Sequence, residues 1–153
     1  MHILFVCTGN VSRSAVAECI FRTMVEREGR SDITVASAGT HNLYGQPYDP
    51  KMVATAAKHG YTMAGHSQQM TKEMLQQADH IFVMERDHRK QVQKLLPYTE
   101  RYKVHQITHY CLGEEYDIED PLYSDEQYEF AFSQIEACCA TIQSRLTLHN
   151  NKE

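Results

Sequence analysis

A chain of 153 residues with 42% hydrophobic and 23% charged residues has the length and balance of one globular domain, long enough to bury a core without a metal or disulfide staple. Its formal net charge of −5 argues against a general nucleic-acid binder, which would present a basic face, although one cleft of an acidic protein can still be positive. No apolar run reaches the roughly 18 residues of a membrane span, and five cysteines, odd in number and without a C-x-x-C pair, fit free thiols in a reducing cytoplasm.

The opening residues, Met1-His2-Ile3-Leu4-Phe5-Val6, lack a basic segment and are too short for a signal-peptide core. Residues 3–6 read as a buried strand. From Ser14 to about Glu28, apolar residues recur at helical spacing (Val16, Ala17, Ile20, Phe21, Met24, Val25), and Gly29 stands where a helix would end. Ile33 to Ala36 reads as a second strand, followed by Ser37-Ala38-Gly39-Thr40 and a loop with Gly45, Pro47 and Pro50. Asp49-Pro50 has the form of an N-cap and first helical residue, for a helix running to about His59.

Thr71-x-x-Met74 opens a short helix, His80 to Met84 is a third strand, and Arg86 to Leu96 is a helix stopped by Pro97. Val104 to Ile107 is a weaker fourth strand. After an acidic loop, Asp125 to Leu148 forms a long helix with Phe130, Ile135, Cys138, Ile142 and Leu146 as candidate core contacts. Strands alternating with helices predict an α/β fold: a single-domain three-layer sandwich over residues 1–150, with a short tail at 151–153. Its centre would be a four-stranded parallel sheet flanked by helices. In such a sheet the working loops lie at the carboxyl ends of the strands.

The loop after the first strand is Cys7-Thr8-Gly9-Asn10-Val11-Ser12-Arg13-Ser14. A cysteine and an arginine six apart would occur by chance roughly a quarter of the time in this composition; the strand–loop–helix context carries the signal. Backbone N–H groups ahead of a helix form an anion cradle, strengthened by the helix dipole. Gly9 lets the backbone turn and approach a ligand, and Arg13 offers two parallel donors to phosphate oxygens. The same positive field favours the Cys7 thiolate, the nucleophilic form, so a thiolate below a phosphate implies a phosphocysteine intermediate. The plain alternative is a buried cysteine at a strand end beside a solvated arginine. A nucleotide-binding Walker loop is excluded, because its Gly-Lys-Ser/Thr ending is absent.

Val6-Cys7-Thr8-Gly9-Asn10-x-x-Arg13-Ser14 resembles the signature of the low-molecular-weight protein tyrosine phosphatases. The resemblance continues through Ser37-Ala38-Gly39-Thr40, Gly45, Asp49-Pro50, His66-Ser67, Ala78-Asp79-x-Ile81-x-Val83-Met84 and Asp117-x-x-Asp120-Pro121. It implies Cys7 as nucleophile, Arg13 as phosphate clamp, and Asp120, in the Asp-Pro loop, as general acid and later base. Phosphate would be bound by Thr8, Gly9, Asn10, Val11, Ser12, Arg13 and Ser14, with Asn10, Ser14, Ser37 and His66 holding the loop in shape. Val11, Leu43, Tyr44, Leu122 and Tyr123 would wall the cleft around the phosphotyrosine ring.

Without that pairing, Asp120 is one acid in a turn that also holds Glu114, Glu115, Asp117 and Glu119, and Asp117 is the next candidate acid. The resemblance implies no cofactor or metal, no nucleic acid and no membrane. The substrate would be a phosphotyrosine protein, such as a bacterial tyrosine kinase, with inorganic phosphate as a product inhibitor.

Three positions depart from the family pattern. Ser12 replaces a second cysteine that can protect the nucleophile as a disulfide, so oxidation of Cys7 would proceed through sulfenic acid. Ala15 replaces the proline after Arg-Ser, and Leu122 replaces the first of two aromatics after Asp-Pro. Val11 stands where the related arginine phosphatases have threonine and tyrosine phosphatases a bulky aliphatic; lacking a hydroxyl, it favours phosphotyrosine over phosphoarginine. Arsenate reduction on this fold needs two relay cysteines after the third strand, and Glu85 to Tyr110 contains none. A non-catalytic phosphotyrosine-binding module would be expected to have lost Cys7 or Asp120. His105-x-x-x-His109 has metal-site spacing but Gln106 in place of glutamate.

Overall fold

Successive side chains of a strand face opposite ways, and the strand His2–Cys7, β1, buries both sets. In the computed structural model of the chain, Ile3, Phe5 and Cys7 join one apolar cluster while Leu4 and Val6 join another. The structure describes residues 1–42 and 45–150, with side chains to 146.

β1 lies inside a four-stranded sheet of order β2-β1-β3-β4, with β2 spanning Thr34–Gly39, β3 His80–Val83 and β4 Val104–Gln106. All three pairings are parallel, which places helices on both faces. On one side lie α1 (Arg13–Arg27), α2 (Pro50–Lys58), α5 (Ile107–Leu112) and α6 (Asp125–Asn150). Their residues Val16, Ile20, Met52, Ile107, Ile135 and Ile142 pack in the cluster of Ile3 and Phe5. On the other lie α3 (Lys72–Gln77) and α4 (Arg86–Lys94), whose Leu75 and Val92 pack in the cluster of Leu4 and Val6. Each fully buried aliphatic or aromatic chain contributes roughly 1.5–3 kcal/mol, so the sheet is a rigid base for the loops at its carboxyl edge. The three-layer arrangement anticipated from the sequence is the one adopted.

Local chemistry accounts for several boundaries. The Asp49 side chain accepts from the Lys51 amide at 3.0 Å, with Pro50 at the first helical position of α2. Thr71 caps α3 by accepting from the Met74 amide at 3.2 Å. Other boundaries differ from the sequence reading. β2 continues through Ser37-Ala38-Gly39, because these residues pair with Phe5, Val6 and Cys7. β4 ends at Gln106, and Ile107–Leu112 is a helix, which separates His105 from His109. A 3₁₀ turn, Tyr98–Lys103, follows Pro97. Phe130 is 66% exposed, a correction to its placement in the core; Ile135, Cys138, Ile142 and Leu146 are buried.

Candidate active site

β1 feeds its loop from the middle of the sheet, between β2 and β3. This is the point at which chain connections run to opposite sides and where open α/β sheets bind ligands. The loop's carbonyls are taken by surrounding segments. Those of Cys7 and Thr8 accept from the Thr40 and His41 amides, each at 2.9 Å, and that of Gly9 accepts from Asn42 Nδ2 at 2.8 Å. Val11 O accepts from the Asp49 amide at 2.8 Å and Ser12 O from the Val16 amide at 2.9 Å. A trans peptide points its N–H opposite its C=O, so carbonyls bound outward leave amides on the concave side.

Asn10 is the one non-glycine residue with positive φ among those described, at 57°, a region asparagine tolerates better than most side chains. Its side chain holds that turn, donating to Ser14 Oγ at 2.7 Å and accepting from the Gln68 amide at 3.0 Å. Gly39 is required where β2 passes under the loop: a Cβ there would lie 2.6 Å from Thr8 O.

Cys7 is 2% exposed at the base of this cradle. Its Sγ lies 2.9 Å from Ser14 Oγ and accepts from the Asn10 amide at 3.3 Å. Ser14 Oγ accepts from Asn10 and has one proton of its own, within reach of Ala38 O at 3.5 Å and of the nearer Cys7 Sγ at 2.9 Å. The Asn10 amide and the Ser14 hydroxyl thus fix the position of the sulfur, an arrangement suited both to a nucleophile and to a leaving group.

Arg13 is also 2% exposed, an unusual burial for a guanidinium. Nη1 donates to Ile118 O at 2.7 Å and forms an ion pair with Glu85, while Nη2 reaches Thr8 Oγ1 at 3.5 Å. Its Nε is buried without a hydrogen-bond partner, as is Ser12 Oγ. Unpartnered buried donors are costly unless a ligand completes them, and both residues line the same cavity. Glu85 lies two residues past the end of β3, so the third strand delivers the counter-ion to the guanidinium.

His88, on α4 and 1% exposed, extends the arrangement. Its Nδ1 accepts from the Glu85 amide at 3.2 Å, which fixes the proton on Nε2, and Nε2 donates to Thr8 Oγ1 at 2.8 Å. Burial pushes the His88 imidazole down to about 4, against a smaller opposing pull from Glu85, so it is neutral near pH 7.

The acidic loop is clamped to the sheet by Ile118 N–H, which donates to Met84 O at 2.9 Å. Asp117 is occupied there: its carboxylate accepts from the Arg86 amide at 2.9 Å and from Gln106 Nε2 at 3.1 Å. Asp120 instead lines a cavity of about 170 Å³ together with Cys7, Thr8, Gly9, Val11, Ser12 and Arg13. Its Oδ1 is 3.8 Å from Arg13 Nε, at the outer limit of an ion pair. Burial raises the Asp120 carboxyl above the ordinary range; the pull of Arg13 is weaker, and Glu85 and Asp49 add to the rise. The carboxyl is therefore biased toward the proton-bearing form.

The structure thus brings together Cys7, Thr8, Gly9, Val11, Ser12, Arg13 and Asp120 around one cavity, with Asn10 and Ser14 directly behind. It does not bring in the other anticipated residues. The Ser37 hydroxyl donates to Glu18 at 2.8 Å, away from the loop, because its strand position points it toward α1. His66 is exposed and meets the chain through a backbone bridge to Pro47; the supporting contact is made by Gln68, whose Nε2 also donates to Ser37 O at 2.9 Å. Leu122 and Tyr123 are 59% and 77% exposed and are not among the residues lining this cavity. Leu43 and Tyr44 lie outside the described residues. Sequence reasoning missed Glu85, His88 and Gln68. For Glu85 a signal existed: a carboxylate at the end of a central strand, on the edge where a buried arginine needs a partner.

Residues 2–152 match the family model for low molecular weight phosphotyrosine protein phosphatase. The chain belongs to this phosphatase family. It is 30% identical over 149 residues to low molecular weight phosphotyrosine protein phosphatase 1 of Drosophila melanogaster, covering 94% of this chain and 96% of the fly protein. It is 33% identical over 144 residues to a low molecular weight protein-tyrosine-phosphatase of Streptomyces coelicolor, covering 89% and 87% of the two chains. The solved structure of the arginine phosphatase YwlE, a mutant with a phosphorylated active-site serine, superposes with a TM-score of 0.89 at 28% identity, covering 96% of each chain.

Cys138 and Cys139 are buried neighbours on α6, and Cys111 Sγ donates to Cys138 O at 3.4 Å. Among the described residues, no three His, Cys, Asp or Glu side chains converge as ligands.

Proposed function

We propose that this chain hydrolyses phosphotyrosine monoesters through a phosphocysteine. The observation that carries the reading is the 170 Å³ cavity, with a buried thiol at its base, two unpartnered donors on Arg13 and Ser12 in its wall, and the raised carboxyl of Asp120 at its rim. The loop amides, Ser12 Oγ and the Arg13 guanidinium hold the three non-bridging oxygens. Cys7 Sγ attacks phosphorus in line; the P–O bond to the ring breaks, its electron pair goes to the phenolic oxygen, and Asp120 supplies that oxygen with a proton. Asp120, now a carboxylate, takes a proton from water as the water oxygen attacks phosphorus. The S–P bond breaks, the electron pair returns to Sγ, and the Ser14 hydroxyl stabilises the departing sulfur.

Rapid quenching during turnover of an aryl phosphate, followed by mass analysis, is expected to find one phosphoryl group on Cys7. Turnover with no such adduct, both in the wild type and in Asp120→Ala, where loss of the base would slow hydrolysis of a phosphocysteine, would remove the covalent step. A second reading, phosphoarginine hydrolysis, draws on the likeness to YwlE and on the small Val11 side chain in the cavity wall. The absence of a hydroxyl at Val11, leaving no polar contact for a guanidinium group, favours phosphotyrosine.

The substrate in this reading is a phosphotyrosine protein, a bacterial tyrosine kinase among the candidates, and inorganic phosphate competes for the same cradle as product. No described helix is long and apolar enough to cross a membrane, and the five free cysteines favour a reducing cytoplasm.

A further inference from the structure

A second cavity, of about 500 Å³, lies beside the catalytic pocket between the loop that carries Asp120 and one face of α6. Asp120 lines both cavities, so a group seated in the larger one lies next to a phosphoryl group held in the smaller. The floor of the larger cavity is apolar. Pro121 and Ala131 are buried beneath it, and the Phe130 ring lines it while remaining 66% exposed. A ring of that size left open on a helix face is available as a contact surface. The rim carries the opposite chemistry, the carboxylates of Asp117 and Glu119. Asp117 is engaged by the Arg86 amide and Gln106, whereas among the described residues Glu119 makes no hydrogen bond or ion pair.

We propose that this cavity is a subsite for an arginine or lysine side chain flanking the phosphorylated residue of a protein substrate. Such a side chain offers a hydrocarbon stem to Pro121 and Phe130 and a cationic head to the ring face and the Glu119 carboxylate. A leucine at the same place would use only the floor, and a glutamate would meet the rim's negative field. The inference rests on the phosphotyrosine reading above, since a flanking residue presupposes a phosphorylated one in the Cys7 pocket.

The test uses phosphotyrosine peptides of one sequence carrying arginine, leucine or glutamate, in turn, at each position within three residues of the phosphotyrosine. Values of kcat/KM are measured for the wild type, Glu119→Lys and Phe130→Ala. The readout is the ratio between peptides within one variant, so any general change in catalysis divides out. We expect arginine to exceed glutamate by about tenfold at one or more positions, on the scale of an exposed ion pair plus a cation–ring contact. Glu119→Lys is expected to abolish or invert that ratio and Phe130→Ala to lower it to about threefold. A wild-type ratio near one at every position, or a ratio that survives Glu119→Lys, overturns the subsite. Absence of Cys7-dependent release from every peptide and from a simple aryl phosphate overturns the phosphatase reading itself, and the subsite with it.

Discussion

Arg13 is held from three directions before any ligand arrives: by Glu85 from the end of β3, by the Ile118 carbonyl from the acidic loop, and by Thr8 from its own loop. A guanidinium fixed in this way in the cavity wall loses little side-chain freedom on binding, which is how preorganisation raises both affinity and rate. Replacing Glu85 with Ala leaves a buried cation without its counter-ion. We expect kcat/KM for an aryl phosphate to fall by about 10²-fold, with Glu85→Gln recovering much of the loss by keeping an acceptor. Unchanged kinetics in Glu85→Ala would show that Ile118 and Thr8 suffice.

Cys7→Ser is expected to abolish turnover while retaining phosphate binding measured by calorimetry, because the amides and Arg13 remain. Loss of binding along with turnover would contradict the division of roles. Asp120→Asn is expected to slow aryl phosphates more as the leaving phenol becomes more basic. Equal slowing across a leaving-group series would take Asp120 out of the acid role. Cys7 and Arg13, which share one cavity with Asp120, stood out in the sequence through their strand–loop–helix context, whereas Asp120 stood out from its acidic neighbours only through the family resemblance. Glu85, His88 and Gln68 did not stand out, because they reach the loop from strand and helix ends far along the chain and carry no local mark. The Ser37 hydroxyl bonds Glu18 instead of the loop, because a pattern in sequence does not say which way a strand side chain points.

At the scale of elements, the site is a meeting of ends. β1 and β3 end in Cys7 and Val83, α1 begins at Arg13, and α4 begins just after Glu85. Two histidines, one buried and one half-buried, bind this region's stability to pH. His88 is pushed down to about 4 by burial, and His105, half-buried on β4, is pushed down to about 4 by burial and by His80, Arg89 and His109. An unfolded histidine takes its proton near pH 6.5, so between about 6.5 and 4 the unfolded chain binds more protons than the folded one. Stability is therefore full above that window and falls as pH is lowered through it. Thermal unfolding midpoints followed from pH 7.5 to 4.5 are expected to drop with acidification, and less steeply in His88→Asn and His105→Asn. Parallel curves for all three proteins would show that neither histidine is held neutral in the folded chain. Strands and long helices were legible from apolar periodicity. The short α5 and the true end of β4 were not, since three strand residues and six helical ones give periodicity too little length to register.

Across the whole molecule, a sheet of order β2-β1-β3-β4 puts the first strand at the centre, and the segment before α6 brings Asp120 back over the first loop. Sequence positions 7 and 120 thus meet because α6, the last helix, packs in the same cluster as α1 and β1. The fold class follows from the alternation of elements, but the meeting of Cys7 and Asp120 at one cavity depends on this return of the chain, which no local pattern encodes. Cys7-dependent hydrolysis of phosphotyrosine is decided by measuring phosphate release from a phosphotyrosine peptide and a phosphoarginine substrate in parallel. No metal is added, and Cys7→Ser serves as the blank. Preferential, Cys7-dependent release from phosphotyrosine is the predicted result. Preferential release from phosphoarginine would contradict the substrate while keeping the chemistry, and release from neither would contradict catalysis altogether.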